Sequence, residues 1–512
     1  MQRISRRTVV RAGAVAAAST PFFGFERFAR AQPAAKVIRH DVATAEGQEM
    51  LKIYASAVGK MMATTTSAPG DPRSWLFQWY AHAVRSDRRK ASEIRRIYPN
   101  RSDPNQALAT AMWDTCEAHH PSSKGENFFL PWHRLYIRFF EQIIRNVSGN
   151  PEFTLPYWNY TDSDPDNRSL PEQFRRANDA VWGPLFRRDR KSAVNGGTPV
   201  DEVPGSTPMT LNAMKSSVYA DSRGDAGFCA NVDNNPHGAL HVNVGNAMGM
   251  GQVPWAANDP IFWLHHCNID RIWASWAKAG GKNPNDPTFK NTVFSFVDGR
   301  GNGIRGKVSD ILELQDLDYE YDRYLDRPPG SAPFLTPSAR LSLAPLAVHA
   351  VSRQISGPVR LGASATRVAL ATQPIARLNL PRGANTLAAQ VQAEASNRVY
   401  FLRLSDVRAS FAPDAGFDVY LDHTGEAAPS PSDPTFVGSI SFFGLASREA
   451  NADHPAATSS KPRNYSFVVT NVVKRLHEAG RLTEEPKVTL VPAEAPSEGS
   501  APTIGSVSLV SS

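Results

Sequence analysis

Apolar residues recur at helical spacing in three stretches of the first two thirds of the chain. These are "RSWLFQWYAHAVRSD" (73–87), "LPWHRLYIRFFEQIIRNV" (130–147) and "DPIFWLHHCNIDRIWASWAKAG" (259–280). Each predicts an amphipathic or buried helix. The last two carry a proline near their first turn, where a helix tolerates it. Long connections rich in Pro and Gly separate them, such as 184–210. The pattern predicts a helical bundle with substantial loops over residues 36–330.

After "RPPGSAP" (327–333) the pattern changes. Aromatic residues thin out, and short alternating runs appear: "RVYFLRLSDV" (398–407), "FDVYLD" (417–422), "FVGSISFFG" (436–444), "KVTLV" (487–491) and "IGSVSLV" (504–510). Alternation over four to eight residues predicts half-buried strands. Only "NYSFVVTNVVKRLHEAG" (464–480) reads as helical there. The fold class expected is therefore multidomain α+β. A helical domain (36–330) and a linker (331–360) precede an antiparallel β-sandwich or barrel-like domain (361–512). Within "SISFFGLAS" the adjacent Phe442 and Phe443 break the alternation, so at least one should face away from the β core.

The first thirty-one residues stand apart. A twin arginine (Arg6, Arg7), a short weakly apolar stretch and "ARA" before Gln32 have the order of a twin-arginine export signal cleaved after Ala31. A periplasmic or secreted protein is expected, with room for a copper chaperone acting before export. Removing six Arg and one Glu lowers the formal charge from +7 to about +2. The basic balance is thus mostly the signal's, and neither a nucleic-acid nor a membrane partner is inferred from it. Three cysteines (Cys116, Cys229, Cys267) are too few for a disulfide scaffold, and an odd count leaves at least one unpaired or otherwise modified.

The histidines carry the chemistry. "HGALH" sets His237 and His241 at i and i+4, on one face of a helix. Alone this pair is a weak signal, and Gly238 removes the Glu of a zinc-protease motif. His82, His133, the pair His119–His120 and the pair His265–His266 add candidates on separate apolar segments. Imidazoles converging in a bundle suit Cu, Zn or Fe, and the lack of a carboxylate cluster argues against di-iron.

"NFFLPWHRLYIRFFE" and "DPIFWLHHCNIDRIW" resemble the two signature segments of the type-3 copper proteins: tyrosinases, catechol oxidases and hemocyanins. The likeness to plant-type polyphenol oxidases extends to "DPRSW", "NPHGALH" and "DYEYD" (318–322). It also reaches the C-terminal "GFDVYLD", "FVGSISFF" and "KVTLVPAE…IGSVSLV". The resemblance implies two copper ions per chain and dioxygen as co-substrate. It implies His82, His119 or His120, and His133 on the first copper, with His119 preferred because Cys116-Glu-Ala-His119 resembles the Cys-plus-His arrangement of relatives. His237, His241 and His266 would hold the second, and His265, about 100° round the helix, would be structural. Cys116 would form a thioether to the neighbouring histidine. Asp270, at i+4 from His266, is a candidate to orient that ring.

Two departures bear on the reaction. Gly238 follows His237 where hydroxylating relatives have an Asn, and Asp233 stands in place of a Glu. Both changes weaken general-base help, typically worth about 10²–10⁴-fold. Val253 stands at the gate position, where plant catechol oxidases have a bulky Phe. The expectation is a copper polyphenol oxidase that turns o-diphenols into o-quinones, with at most weak monophenol hydroxylation. It would be latent until the C-terminal domain is removed. The alternatives are an o-aminophenol oxidase and a hemocyanin-like oxygen carrier.

Overall fold

The structure, a computed structural model, describes residues 36–512 apart from 118, 120–123, 221–225, 247, 332–333, 335–358, 364–367, 371–375, 380–397, 414, 424, 426–428, 446–461, 484–485 and 512. The twin-arginine segment, His120 and most of the expected linker lie outside the described residues. No helix among the described residues is long and apolar enough to cross a membrane.

Five helices lead into the site: α1 (Ala45–Ser67), α2 (Trp75–His82), α3 (Lys90–Ile97), α4 (Pro104–Met112) and α5 (Phe129–Ser148). α6 (Ala239–Val244) and α7 (Ile261–Lys278) complete it. Ser74 caps α2 by accepting from the Phe77 amide at 3.1 Å. α5 ends on Gly149, whose positive φ of 74° lets its amide reach the Arg145 carbonyl at 3.0 Å. α7 is buried on every face from Ile261 to Trp276, which makes it the central helix of the bundle. The helix expected over 73–87 stops at His82, where Ala83 turns extended and the Asp114 carboxylate accepts from the Val84 amide.

The first and last strands of this region, β1 (Val37–Arg39) and β4 (Tyr319–Tyr321), pair in parallel, and β2 (Val293–Val297) and β3 (Gly303–Lys307) form a hairpin. Tyr319 and Tyr321, from the "DYEYD" motif, thereby face α7. Arg39, Arg134, Tyr319 and Tyr321 all donate to the buried Asp270 carboxylate. The expected role of Asp270 in orienting His266 is corrected by this: its oxygens are taken up by four donors at the bundle's closure.

Beyond the helices, the described residues form two open antiparallel sheets and one helix, α8 (Thr470–Glu478). β5 (Val359–Ala363), β6 (Val368–Ala369), β8 (Tyr400–Arg408), β11 (Arg463–Val468) and β13 (Thr503–Ser511) form one sheet. β7 (Ala376–Asn379), β9 (Phe417–Leu421), β10 (Phe436–Ile440) and β12 (Lys487–Pro492) form the other. Neither closes into a barrel among the described residues. The run read as helical over 464–480 is divided. Its aromatic and β-branched first half pairs with β8 as strand β11, and only its second half is helix α8. An apolar core fills each region. Phe442 belongs to the core of the sheets, while Phe443 belongs to that of the helices.

Candidate metal centre

Each histidine of the site is placed by a short local device. His82 closes α2, and its Nδ1 lies 3.1 Å from the Val253 carbonyl. His133 sits one turn into α5 with Nδ1 2.8 Å from the Phe129 carbonyl. His237 Nδ1 lies 3.1 Å from the Asp233 carbonyl, and His241 Nδ1 lies 2.8 Å from that of Met250. A carbonyl only accepts, so each Nδ1 carries the proton and each Nε2 offers a lone pair. That is the tautomer a metal ion needs. Val253 enters the site through this carbonyl, in the short turn Val253–Ala256.

The donor atoms converge in three groups. His237, His241, His265 and His266 form one, with all donor atoms within 4.8 Å of one another. His82, Cys116 and His133 form a second within the same limit, and His119, Asp233 and His237 form a third that shares His237 with the first. The rings of His133 and His266 bridge the first two, stacked at 4.3 Å. Burial holds His82, His133, His237, His241, His265 and His266 below the ordinary histidine range, so all six are neutral.

The fit to a metal rests on orphaned atoms. Both ring nitrogens of His266 and the Nε2 of His265 are buried without a hydrogen-bond partner. A buried polar nitrogen without a partner costs free energy, and an ion bound among these rings would remove that cost. A set made of imidazole and thiol donors suits copper or zinc better than a hard cation. His265, expected to be structural, does hold Tyr160 through Nδ1 at 2.8 Å, yet its Nε2 lies inside the donor group. Adjacent histidines leave a helix about 100° apart, so spacing gave no sign that both reach one centre.

His119 is placed elsewhere than beside His82 and His133. Its Nε2 lies 3.0 Å from Asp233 Oδ1, and its ring stacks on His237 at 5.6 Å. Asp233 Oδ1 also lies 2.9 Å from His237 Nδ1. Burial raises the Asp233 carboxyl, but His119 and His237 outweigh it and hold the group well below the carboxylate range. Burial, with Asp233 and Glu117 nearby, pushes the Cys116 thiol well up. Cys116, Cys229 and Cys267 are all buried and form no disulfide.

The C-terminal sheets reach this centre through the turn after β10. Asn234, from the "DNNPHG" segment, meets that strand as another strand would. Its Nδ2 donates to the Ser439 carbonyl at 2.8 Å, and its Oδ1 accepts from the Ser441 amide at 2.6 Å. Phe443 then lies flat on His241, 3.9 Å away and 4° from parallel, with its edge toward His119 and His237. Gly238 makes room for this approach. A Cβ there would fall 2.9 Å from Ser441 Oγ and 3.2 Å from Phe443 Cβ. Phe442 turns the other way and packs edge-on against Phe417 at 5.8 Å.

Known proteins are similar to this chain in sequence and fold. The family model for the common central domain of tyrosinase matches residues 72–196 and 186–279, a span that holds every donor above. Residues 72–279 therefore carry a tyrosinase-type central domain. A domain of unknown function (DUF7868) matches residues 354–512. Tyrosinase HcTyr1 of Hahella sp. (strain CCB-MM4) is 29% identical over 494 residues, covering 90% of this chain and 96% of that protein. The latent-form polyphenol oxidase of Prunus armeniaca is 27% identical over 346 residues, and this chain spans 54% of its length. Latent apple tyrosinase has the same fold, with a TM-score of 0.60 at 21% identity over 96% of this chain and 100% of that one. Latent aurone synthase does too, with a TM-score of 0.60 at 20% identity over 95% and 91%. The tyrosinase-type domain, together with the likeness to tyrosinases and polyphenol oxidases, implies a copper oxidoreductase.

Proposed function

We propose that this chain is an exported dicopper oxidase that converts o-diphenols to o-quinones, latent until its C-terminal domain is displaced. The observation that carries the reading is the pair of neighbouring donor groups, made of buried histidines and Cys116 and bridged by the stacked rings of His133 and His266. His237, His241 and His266 would hold one copper, and His82 and His133 belong to the other. The coppers, when bound, supply the redox couple between diphenol and dioxygen. Two diphenols give up four electrons and four protons to one O2, leaving two quinones and two waters.

The residues around the centre favour diphenols. Asp233 Oδ1 lies within 3.0 Å of two imidazole nitrogens, and His119 and His237 hold its carboxyl well below the carboxylate range, which makes it a weak base for a phenol proton. Gly238 offers no side-chain amide to hold a water there. Both points weaken monophenol deprotonation and leave the more easily oxidised catechols as substrates.

Latency is supported by Phe443, whose ring covers the face of His241 where an aromatic substrate would lie. The domain division follows: residues 36–330 carry the chemistry, 331–360 link, and 361–512 cover. The test is metal analysis of the copper-loaded chain trimmed of its C-terminal domain, with product analysis on a catechol and its matching monophenol. Two coppers per chain and quinone formed much faster from the catechol are expected. A preparation that binds dioxygen reversibly with no turnover of either phenol would overturn the reading in favour of a carrier.

A further inference from the structure

We propose that residues 250–253 are a positioning segment shared by the two copper sites, holding one histidine of each so that a shift of one ring is passed to the other. The inference rests on the dicopper reading above and adds what sets the separation of the two ions. Four imidazoles of the site are held through Nδ1 by a backbone carbonyl, and two of them are held from within their own turn. His133 bonds to Phe129 and His237 to Asp233, each four residues earlier. The other two are held from outside, and by one segment. The Met250 carbonyl accepts from His241 Nδ1 at 2.8 Å, and the Val253 carbonyl accepts from His82 Nδ1 at 3.1 Å. His82 and His241 belong to different donor groups. Three residues of chain span at most about 11 Å, so the segment bounds the distance between the two rings.

Consecutive turns stiffen the segment. The Gln252 amide donates to the Gly249 carbonyl at 3.1 Å, and the Trp255 and Ala256 amides donate to the Gln252 carbonyl at 3.0 and 2.9 Å. Its far end is fixed to α2, the helix that ends in His82. Trp79 Nε1 donates to the Pro254 carbonyl at 2.8 Å. Trp255 Nε1 donates to Ser86 Oγ at 3.0 Å, and the two indole rings lie 5.5 Å apart. Its near end is braced by residues 189–191. The Lys191 amide donates to the Val244 carbonyl at 2.9 Å, one turn past His241. Gly249 packs against the same run, so closely that a Cβ there would collide with the Asp189 carbonyl oxygen. A carbonyl that fixes the tilt of an imidazole also fixes where its Nε2 lone pair points. A displacement at either end of the segment is therefore carried to both metal positions.

The test is EPR of the full-length chain loaded with Cu(II), together with copper counting. Two Cu(II) ions close enough to share a bridging ligand pair their spins and give no signal. The unaltered chain is expected to bind two coppers and to be silent. Trp79→Phe keeps a ring and removes the bond to Pro254, and Gly249→Ala drives the segment off Asp189. Each is expected to keep two coppers, with about 10% or more of the copper becoming EPR-visible as a displaced conformation is populated. Trp273→Phe removes a comparable indole bond on α7, to Asn283 at 2.9 Å, and is expected to stay silent.

A folded Trp79→Phe or Gly249→Ala chain that holds two coppers in silence would overturn the shared role. So would loss of a single copper from either variant, which would mark two carbonyls acting separately. A signal of the same size from Trp273→Phe would also overturn it, as general loosening of the bundle. An unaltered chain with fewer than two coppers, or with two that are fully EPR-visible, would instead defeat the dicopper reading itself. Trp79→Phe decides the matter where Gly249→Ala fails to fold.

Discussion

The ring of Phe443 lies parallel to that of His241 at 3.9 Å, although 202 positions separate them in the chain. This contact joins the two apolar cores, and it depends on the neighbouring Phe442 turning the opposite way. Phe443→Ala removes the cover and leaves the sheets' own core untouched. The full-length variant is expected to oxidise catechols at least tenfold faster than the parent, about 1.4 kcal/mol. Phe442→Ala is expected to destabilise the chain by about 3–5 kcal/mol, as loss of a buried ring does. Steady-state rates and urea melts of the two variants separate cover from core.

Gly238→Asn sets a side chain where Ser441 and Phe443 now approach. With Ser441 Oγ at 2.9 Å and the Asp233 carbonyl at 3.0 Å from the new Cβ, the turn after β10 must shift. The full-length variant is expected to lose part of its latency. The trimmed variant is expected to gain on monophenols relative to catechols, because the amide can hold a water beside the substrate. An unchanged monophenol-to-catechol ratio would remove that role from position 238.

Asp270 binds two arginines and two tyrosines in a buried site. Asp270→Ala leaves Arg134 buried with its charge uncompensated and Arg39 with Glu141 as its ion-pair partner, an arrangement that costs about 3–5 kcal/mol. A fall in unfolding free energy of that size is expected, with no loss of copper from the molecules that remain folded. Copper loss at unchanged stability would restore Asp270 to the metal site.

Asp418, on β9, accepts from Ser439 Oγ at 2.7 Å. Burial pushes its carboxyl up to about 6, against the pull of the Ser439 and Tyr420 hydroxyls. Because the folded value lies above the unfolded one, the folded state holds this proton where the unfolded chain releases it. The contribution is fully present below about pH 4 and is lost as pH rises through about 6, on the order of 3 kcal/mol. Asp418→Asn keeps an acceptor for Ser439 and cannot ionise. Relative to the parent, it should gain stability between pH 4 and pH 7 and little beyond. A stability difference that does not change with pH would show that Asp418 ionises freely in the folded chain.

The convergence of His82, His133, His237, His241 and His266 is legible in the sequence because each sits in a motif that fixes its neighbours. The orphan phenylalanine was legible as well, since two adjacent rings cannot both face one side of a strand. Asp270 was misread because helical spacing finds only partners on the same helix. Arg39 and Tyr321 lie 231 and 51 positions away and meet it only after β1 pairs with β4. His119 is preferred to His120 by likeness to relatives, but that its ring meets Asp233 and His237 follows from the fold and not from spacing along the chain. The short run 463–468 looked helical until β8 offered an edge to pair with.

The most direct measurement compares the full-length chain with the chain cleaved between residues 331 and 360, both carrying two coppers, on the same catechol. A rate at least tenfold higher after cleavage is expected, with quinone as the product. Equal rates in the two forms, at equal copper content, would contradict the covering role of Phe443 and leave the C-terminal domain as a stabilising element alone.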